Sequence, residues 1–266
     1  MMNSKSRKLD AFAKLLEIMD LLRNECPWDK KQTIESLRHL TIEETYELSE
    51  SILKADSDGI KEELGDILLH IVFYSKIASE KNTFDIKDVI DKICQKLMYR
   101  HPHIFGNIKV ADESDVKKNW EVLKIKEGKN NILSGVPLSL PSLIKAQRIQ
   151  EKAAGVGFDW NTAEEVWSKV QEELVELKVE IQNGSQSKIE EEFGDFLFSM
   201  VNYARFLNIE PDTALEKANQ KFTKRLLFIE NVTKEKLKSI NELSHSELHS
   251  LWLEAKNYDS LEDKSS

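Results

Sequence analysis

EELGDILLHI, from Glu62 to Ile71, has a near copy in EEFGDFLFSM, from Glu191 to Met200. Each stretch sets acidic residues and a glycine at the head of a strongly apolar run. Within these runs the apolar residues step by three and four: Leu64, Ile67, Leu68, Ile71 and Val72 in the first, Phe193, Phe196, Leu197, Met200, Val201 and Ala204 in the second. That spacing lines one face of an α-helix, and no period-two strand pattern competes with it. The fold class expected is therefore all-α. The run ILLHIVFY (67–74) is apolar nearly all round, which predicts a central bundle helix that buries a face against the other repeat or another subunit.

The copying extends well beyond these two runs. Aligning EETYELSESIL at Glu43 with EELVELKVEIQ at Glu172 carries Glu44 to Glu173 and Glu47 to Glu176, a shift of 129 residues. The same shift carries Glu63 to Glu192 and Asp66 to Asp195. Further on, QKLMYR (95–100) matches QKFTKR (220–225) with a shift of 125, so the second copy has a loop four residues shorter. Upstream, Trp28 and Trp160 take corresponding places. Each copy is an ordered set of tryptophan, EExxE, EExxD and KxxxR, and such self-similarity reads as two tandem domains. Their expected bounds are 9–110 and 142–266. Between them, 111–141 reads as a charged helix and then a linker rich in Gly, Pro, Ser and Asn from about Gly128.

Residues three apart share a helix face, so Glu44 and Glu47 point together, as do Glu63 and Asp66. With a turn at Ala55–Gly59, Glu47 lies about 10 Å from the turn and Glu63 about 9 Å, at 1.5 Å per residue. The two acidic pairs then stand level across an antiparallel hairpin. The same holds for Glu173 and Glu176 facing Glu192 and Asp195 across a turn at Asn183–Ser185; serines are available as helix N-caps at both turns. Four converging carboxylates repel one another and call for a compensating cation. A donor set of hard oxygens without His or Cys favours Mg²⁺ or Mn²⁺ over zinc. A di-iron bundle would want Glu-x-x-His, which neither copy has. Gly65 and Gly194, beside these acids in helix interiors, cost about 1 kcal/mol each relative to alanine, and predict close approach of another helix or a ligand.

Composition narrows the classes further. The 266 residues are 40% hydrophobic and 32% charged, and only 9 Gly and 5 Pro interrupt them, which favours long helices. A formal net charge of −9 argues against nucleic acid as main partner. Cys26 and Cys94 lack CxxC spacing and read as two half-buried thiols in a reducing compartment. No leader-like apolar stretch opens the sequence, and no apolar run approaches the ~18 residues of a membrane span, so a cytoplasmic protein is expected.

In combination, CPWDKKQT, EETYE, EELGD and RHPHIFG of the first half, with KAAGVGFDW, EEFGD and KANQKFTKR of the second, resemble the two-domain MazG nucleoside triphosphate pyrophosphohydrolases. The resemblance runs from about Leu9 to Lys256 and includes LSGVPLSLPSL and LWLEAK. It implies a fold related to the dimeric dUTPases, a homodimer, Mg²⁺ dependence, and hydrolysis of NTPs or dNTPs to monophosphate and pyrophosphate in nucleotide-pool housecleaning. Carried over, the metal ligands of the second domain are Glu173, Glu176, Glu192 and Asp195, with Glu173 or Glu176 as candidate general base. Lys221 and Arg225 would meet the triphosphate, Lys169 and Lys188 lie among the nearby candidates, and Trp252 would stack on the base. Trp28 and Trp160 would shape the mouth of the site or fill core. Glu44, Glu47, Glu63 and Asp66 form a second candidate metal site.

The two halves differ downstream. Pro102 should stop the helix after Arg100, where the second copy continues as LLFIENV. His101 and His103 flank that stop and read as structural. LWLEAK has no clear counterpart in the first half unless NWEVLK at Asn119 serves. The second domain is therefore expected to be the principal catalytic one. The rival readings are a non-catalytic nucleotide-sensing scaffold, which the intact acids disfavour, and an RNA-binding helical module, which the acidic balance disfavours.

Overall fold

A computed structural model describes residues 4–108, 131–235 and 239–262, together with positions 110, 112 and 116. The described residues contain helices and no strands. The chain divides into two compact units, Met1–Ala111 and Asp112–Ser266. The charged helix and NWEVLK segment expected from Asn119 lie outside the described residues.

In the first unit, α1 (Ser4–Glu25) leads through a 3₁₀ turn at Asp29–Lys31 into α2 (Ile34–Leu53), then α3 (Ser57–Glu80), α4 (Ile86–Arg100) and the single turn α5 (Pro102–Phe105). Thr33 and Ser36 start α2 with a reciprocal capping box: each side-chain oxygen accepts from the other residue's backbone N–H, at 3.1 and 2.9 Å. The cap of α3 is not a serine as expected. Asp56 Oδ1 accepts from the N–H groups of Asp58 and Gly59, both at 3.1 Å, because a carboxylate is a stronger acceptor at a helix's positive end. α4 ends at Arg100, as Pro102 requires, and Pro102 opens α5.

α3 forms the hairpin with α2 and also packs on α1 and α4. Met19, Leu37, Val72, Phe73 and Ile77 make the core between these helices. Arg23 ties the base of the unit together. It pairs with Glu80, Nε to Oε1 at 3.0 Å, donates to the backbone carbonyls of Asp29 and Gln32, and lies over the Phe73 ring.

The second unit comprises α6 (Ser142–Gly155), α7 (Ala163–Asn183), α8 (Gln186–Phe206), α9 (Pro211–Glu235), a 3₁₀ turn at Ile240–Glu242 and α10 (His245–Glu262). α7 and α8 form the hairpin, α6 packs on α8, and α9 contacts α6, α8 and α10. Thr162 caps α7 by accepting from the Glu165 N–H at 3.2 Å. Ser185 occupies the N-cap position of α8, yet its side chain makes no capping bond. Val166, Val170, Leu177, Val201, Ile229, Leu251 and Ala255 are buried.

Within its own unit, each of these two helices leaves one apolar stripe open. Leu64, Leu68 and Ile71 on α3 are exposed, and so are their register partners Phe193, Leu197 and Met200 on α8. The core is reached from the other side of each helix, through Val72, Phe73 and Ile77 or through Ser199 and Val201. No described element of the same unit covers the outer stripe. No helix among the described residues is long and apolar enough to cross a membrane.

Candidate active site

The hairpin geometry brings the acids together in both units. In the second, Glu173, Glu176 and Glu192 each present a carboxylate oxygen within 4.8 Å of the others. In the first, Glu44, Glu63 and Asp66 do so. Asp195 and Glu47, the fourth acid of each set, stand outside these tight groups but still act on them electrostatically. The level pairing inferred from axial distance is thus only approximate, because axial distance leaves the rotation of each helix about its own axis undetermined.

The electrostatics record a surplus of like charge. Glu192 is raised above the ordinary carboxylate range, first by desolvation and then by Glu176, Asp195 and Glu173. Glu44 is raised by desolvation and by Asp66, Glu47 and Glu43, and Glu63 by desolvation and by Glu47, Glu44 and Asp66. Such groups fit a divalent cation, which would supply the charge and the oxygen-seeking centre that the carboxylates lack.

The units differ in what surrounds these acids. Lys169 Nζ lies 2.7 Å from both Glu172 and Glu173, is raised by them, and covers the buried Glu173. The register shift places Leu40 at the corresponding position, so no lysine stands four residues before Glu44. Lys188 and Lys221 are exposed. Arg225 is already engaged: its Nε donates to Asp259 Oδ2 at 2.6 Å, and its guanidinium lies 5.4 Å from the Trp252 ring centroid. Trp252 also packs on Phe222 at 5.4 Å, so the closing helix α10 is joined to α9 through this cluster.

Asp259 was not foreseen as a functional neighbour; it lies 34 residues from Arg225 in a polar tail that offered no spacing signal. His70 was also missed. One turn beyond Asp66, it is buried with Nδ1 unpartnered, and burial lowers its pKa against the pull of Asp66. His101 reads as structural, its Nδ1 lying 2.6 Å from the Leu97 carbonyl oxygen, with the His103 ring beside it at 5.6 Å. Trp28 and Trp160 are exposed and do not fill core, and Cys94 is exposed where a half-buried thiol was expected. An ideal Cβ at Gly65 or Gly194 would meet nothing within 4 Å, so neither glycine serves helix packing within its unit.

Comparison with known proteins decides the lineage. The MazG nucleotide pyrophosphohydrolase domain matches this chain twice, at residues 32–105 and 161–227. The chain belongs to the MazG family. Membership places it among hydrolases of phosphoric anhydrides. A nucleoside triphosphate pyrophosphohydrolase/pyrophosphatase MazG from Thermotoga maritima is 43% identical, covering 93% of this chain and 96% of its own length. A nucleoside triphosphate pyrophosphohydrolase from Escherichia coli K12 is 39% identical, over 91% of this chain and 96% of its own. The Bacillus subtilis protein YabN is 45% identical over 88% of this chain, which aligns with 48% of that longer protein. Both MazG matches span the carboxylate hairpins, so each acidic cluster lies within a MazG domain.

Proposed function

We propose that the chain is a Mg²⁺-dependent pyrophosphohydrolase that cleaves NTPs or dNTPs to the monophosphate and pyrophosphate, with its principal active site in the second unit. The observation that carries this reading is the like-charged group of Glu173, Glu176 and Glu192, with Asp195 acting on it, inside the second MazG domain. The names of relatives that match nearly end to end support the same reaction. Nucleotide-pool housecleaning in the cytoplasm is the corresponding role.

Glu173, Glu176, Glu192 and Asp195 would hold Mg²⁺, or Mn²⁺ by the same oxygen chemistry. When bound, the metal supplies charge neutralisation for a polyanionic substrate and lowers the pKa of a coordinated water. Water oxygen attacks the α-phosphorus, the bond from that phosphorus to the α–β bridging oxygen breaks, and the bridging oxygen departs with pyrophosphate. The proton released by the water passes to a carboxylate. Of the two considered, Glu173 is held by Lys169, whereas Glu176 is exposed, so Glu176 is the better base, through a carboxylate oxygen not committed to the metal. Lys169, Lys188, Lys221 and Arg225 are assigned to the phosphates, where fixed cations stabilise the leaving charge. Arg225 must exchange Asp259 for phosphate to do so.

Glu44, Glu47, Glu63 and Asp66 form the second metal site of the proposal. The absence of a lysine at position 40 and the helix end before Pro102 support ranking it second. Glu192→Gln should abolish most pyrophosphate release while Glu63→Gln reduces it far less. Equal losses would overturn the ranking of the two units.

A further inference from the structure

The second unit contains a cavity of about 410 Å³, within the range of small-ligand sites. Its walls include Gln150 from α6, Phe158 and Trp160 from the loop before α7, and Phe198, Asn202 and Arg205 from α8. The loop is held in place rather than packed into core. Gly157 turns it with φ +89°, a value disfavoured for any side-chain-bearing residue, and Asp159 accepts from both terminal nitrogens of Arg205, one at 2.9 Å. Phe158 stays 82% exposed and Trp160 44% exposed at the rim. Two aromatic rings kept out of the core beside a cavity offer faces for stacking.

The polar groups complete the match. Gln150 is only 6% exposed, and its Nε2 donates to the Phe198 carbonyl at 2.8 Å. That bond fixes the amide, because the reversed orientation would set two acceptors together. Gln150 Oε1 is consequently a buried acceptor without a partner. Asn202 Oδ1 accepts from Arg205 Nε and Nη2, at 3.1 and 2.8 Å, which leaves the Asn202 amide nitrogen as a donor. Two side-chain amides among the cavity's lining residues, Gln150 and Asn202, with aromatic rings at its rim, suit the hydrogen-bonding edge and flat face of a nucleobase.

In the first unit the corresponding place is filled by core side chains. The shift of 129 sets Phe73 at the position of Asn202 and Leu69 at that of Phe198. Phe73 is 3% exposed in the first unit's core. Asn202 also lies seven residues beyond Asp195, on the same helix face and about 10 Å along the axis. A triphosphate seated at the carboxylates can therefore direct its base end along α8.

We propose that this cavity receives the base of the nucleoside triphosphate, with Phe158 and Trp160 stacking on it and Gln150 and Asn202 reading its edge. The proposal rests on the pyrophosphohydrolase reading above and moves base recognition from Trp252, which already packs on Phe222 and Arg225. The test measures pyrophosphate release from ATP, GTP, CTP, UTP and ribose 5-triphosphate, which has no base, by wild type, Trp160→Ala, Asn202→Asp and Trp252→Leu. Release by wild type from none of the nucleotides would refute the pyrophosphohydrolase reading itself. With an active wild type, Trp160→Ala should raise KM for the preferred nucleotide about tenfold more than for ribose triphosphate, matching the loss of one stacked base. Asn202→Asp, nearly equal in size, should reorder the four bases. An unchanged base ranking in both variants, or a ranking lost only in Trp252→Leu, would overturn the assignment.

Discussion

At the scale of single residues, the acids carry the account. Asp195→Asn should lower kcat by about 10²-fold or more, the usual cost of removing a group that organises transition-state charge. Glu192, Glu44 and Glu63 also predict a pH signature. A carboxyl whose folded pKa is raised keeps its proton to higher pH when folded than when unfolded, so folding is progressively disfavoured as pH rises from the ordinary carboxylate range through the raised value. Above that window the metal-free protein bears the full repulsion, which a divalent cation relieves. The gain in Tm from Mg²⁺ should therefore be large at neutral pH and disappear in acid, and thermal melts across pH with and without Mg²⁺ check it. Glu63→Gln should raise the metal-free Tm at neutral pH. The acids were legible because their spacing repeats; the Lys169 contact with Glu173 was half legible as an i, i+4 pair. The Arg225–Asp259 pair was not, since only tertiary packing joins residues 34 apart.

At the scale of elements, helical periodicity located both hairpins, and the turn between Leu53 and Ser57 falls where expected. Which residue caps α3 did not follow, because Asp56, Ser57 and Asp58 are all competent caps and the choice depends on which backbone is extended: Asp56 is, at ψ 97°. The glycines show the same limit. Their expense within a helix was visible, but the open space where each Cβ would stand was not. Gly65→Ala should consequently stabilise the protein by about 0.5–1 kcal/mol through helix propensity alone, measured by urea unfolding. A loss of stability would mean that something outside the described unit approaches α3 there. Gly194→Ala should behave likewise without nucleotide; reduced turnover in that variant would mark Gly194 as a place of close ligand approach.

At the scale of the whole molecule, the exposed stripes Leu64–Leu68–Ile71 and Phe193–Leu197–Met200 remain to be covered. Contiguous apolar surface of this kind is unfavourable in water, and a homodimer is the arrangement we propose for it. Light scattering should give twice the 30.7 kDa of one chain, and Leu197→Glu should shift the population toward monomer. A wild-type monomer at micromolar concentration would contradict that arrangement. The sequence could predict that these helices need a partner surface, since their apolar residues exceed one face, but periodicity carries no information about which surface supplies it. The central claim is the reaction itself, and the most direct measurement is separation of the products after metal-stripped protein is incubated with each NTP and then given Mg²⁺. Monophosphate and pyrophosphate in equal amounts, formed only once Mg²⁺ is present, is the predicted result. Diphosphate with inorganic phosphate, or tight nucleotide binding without turnover, would contradict it.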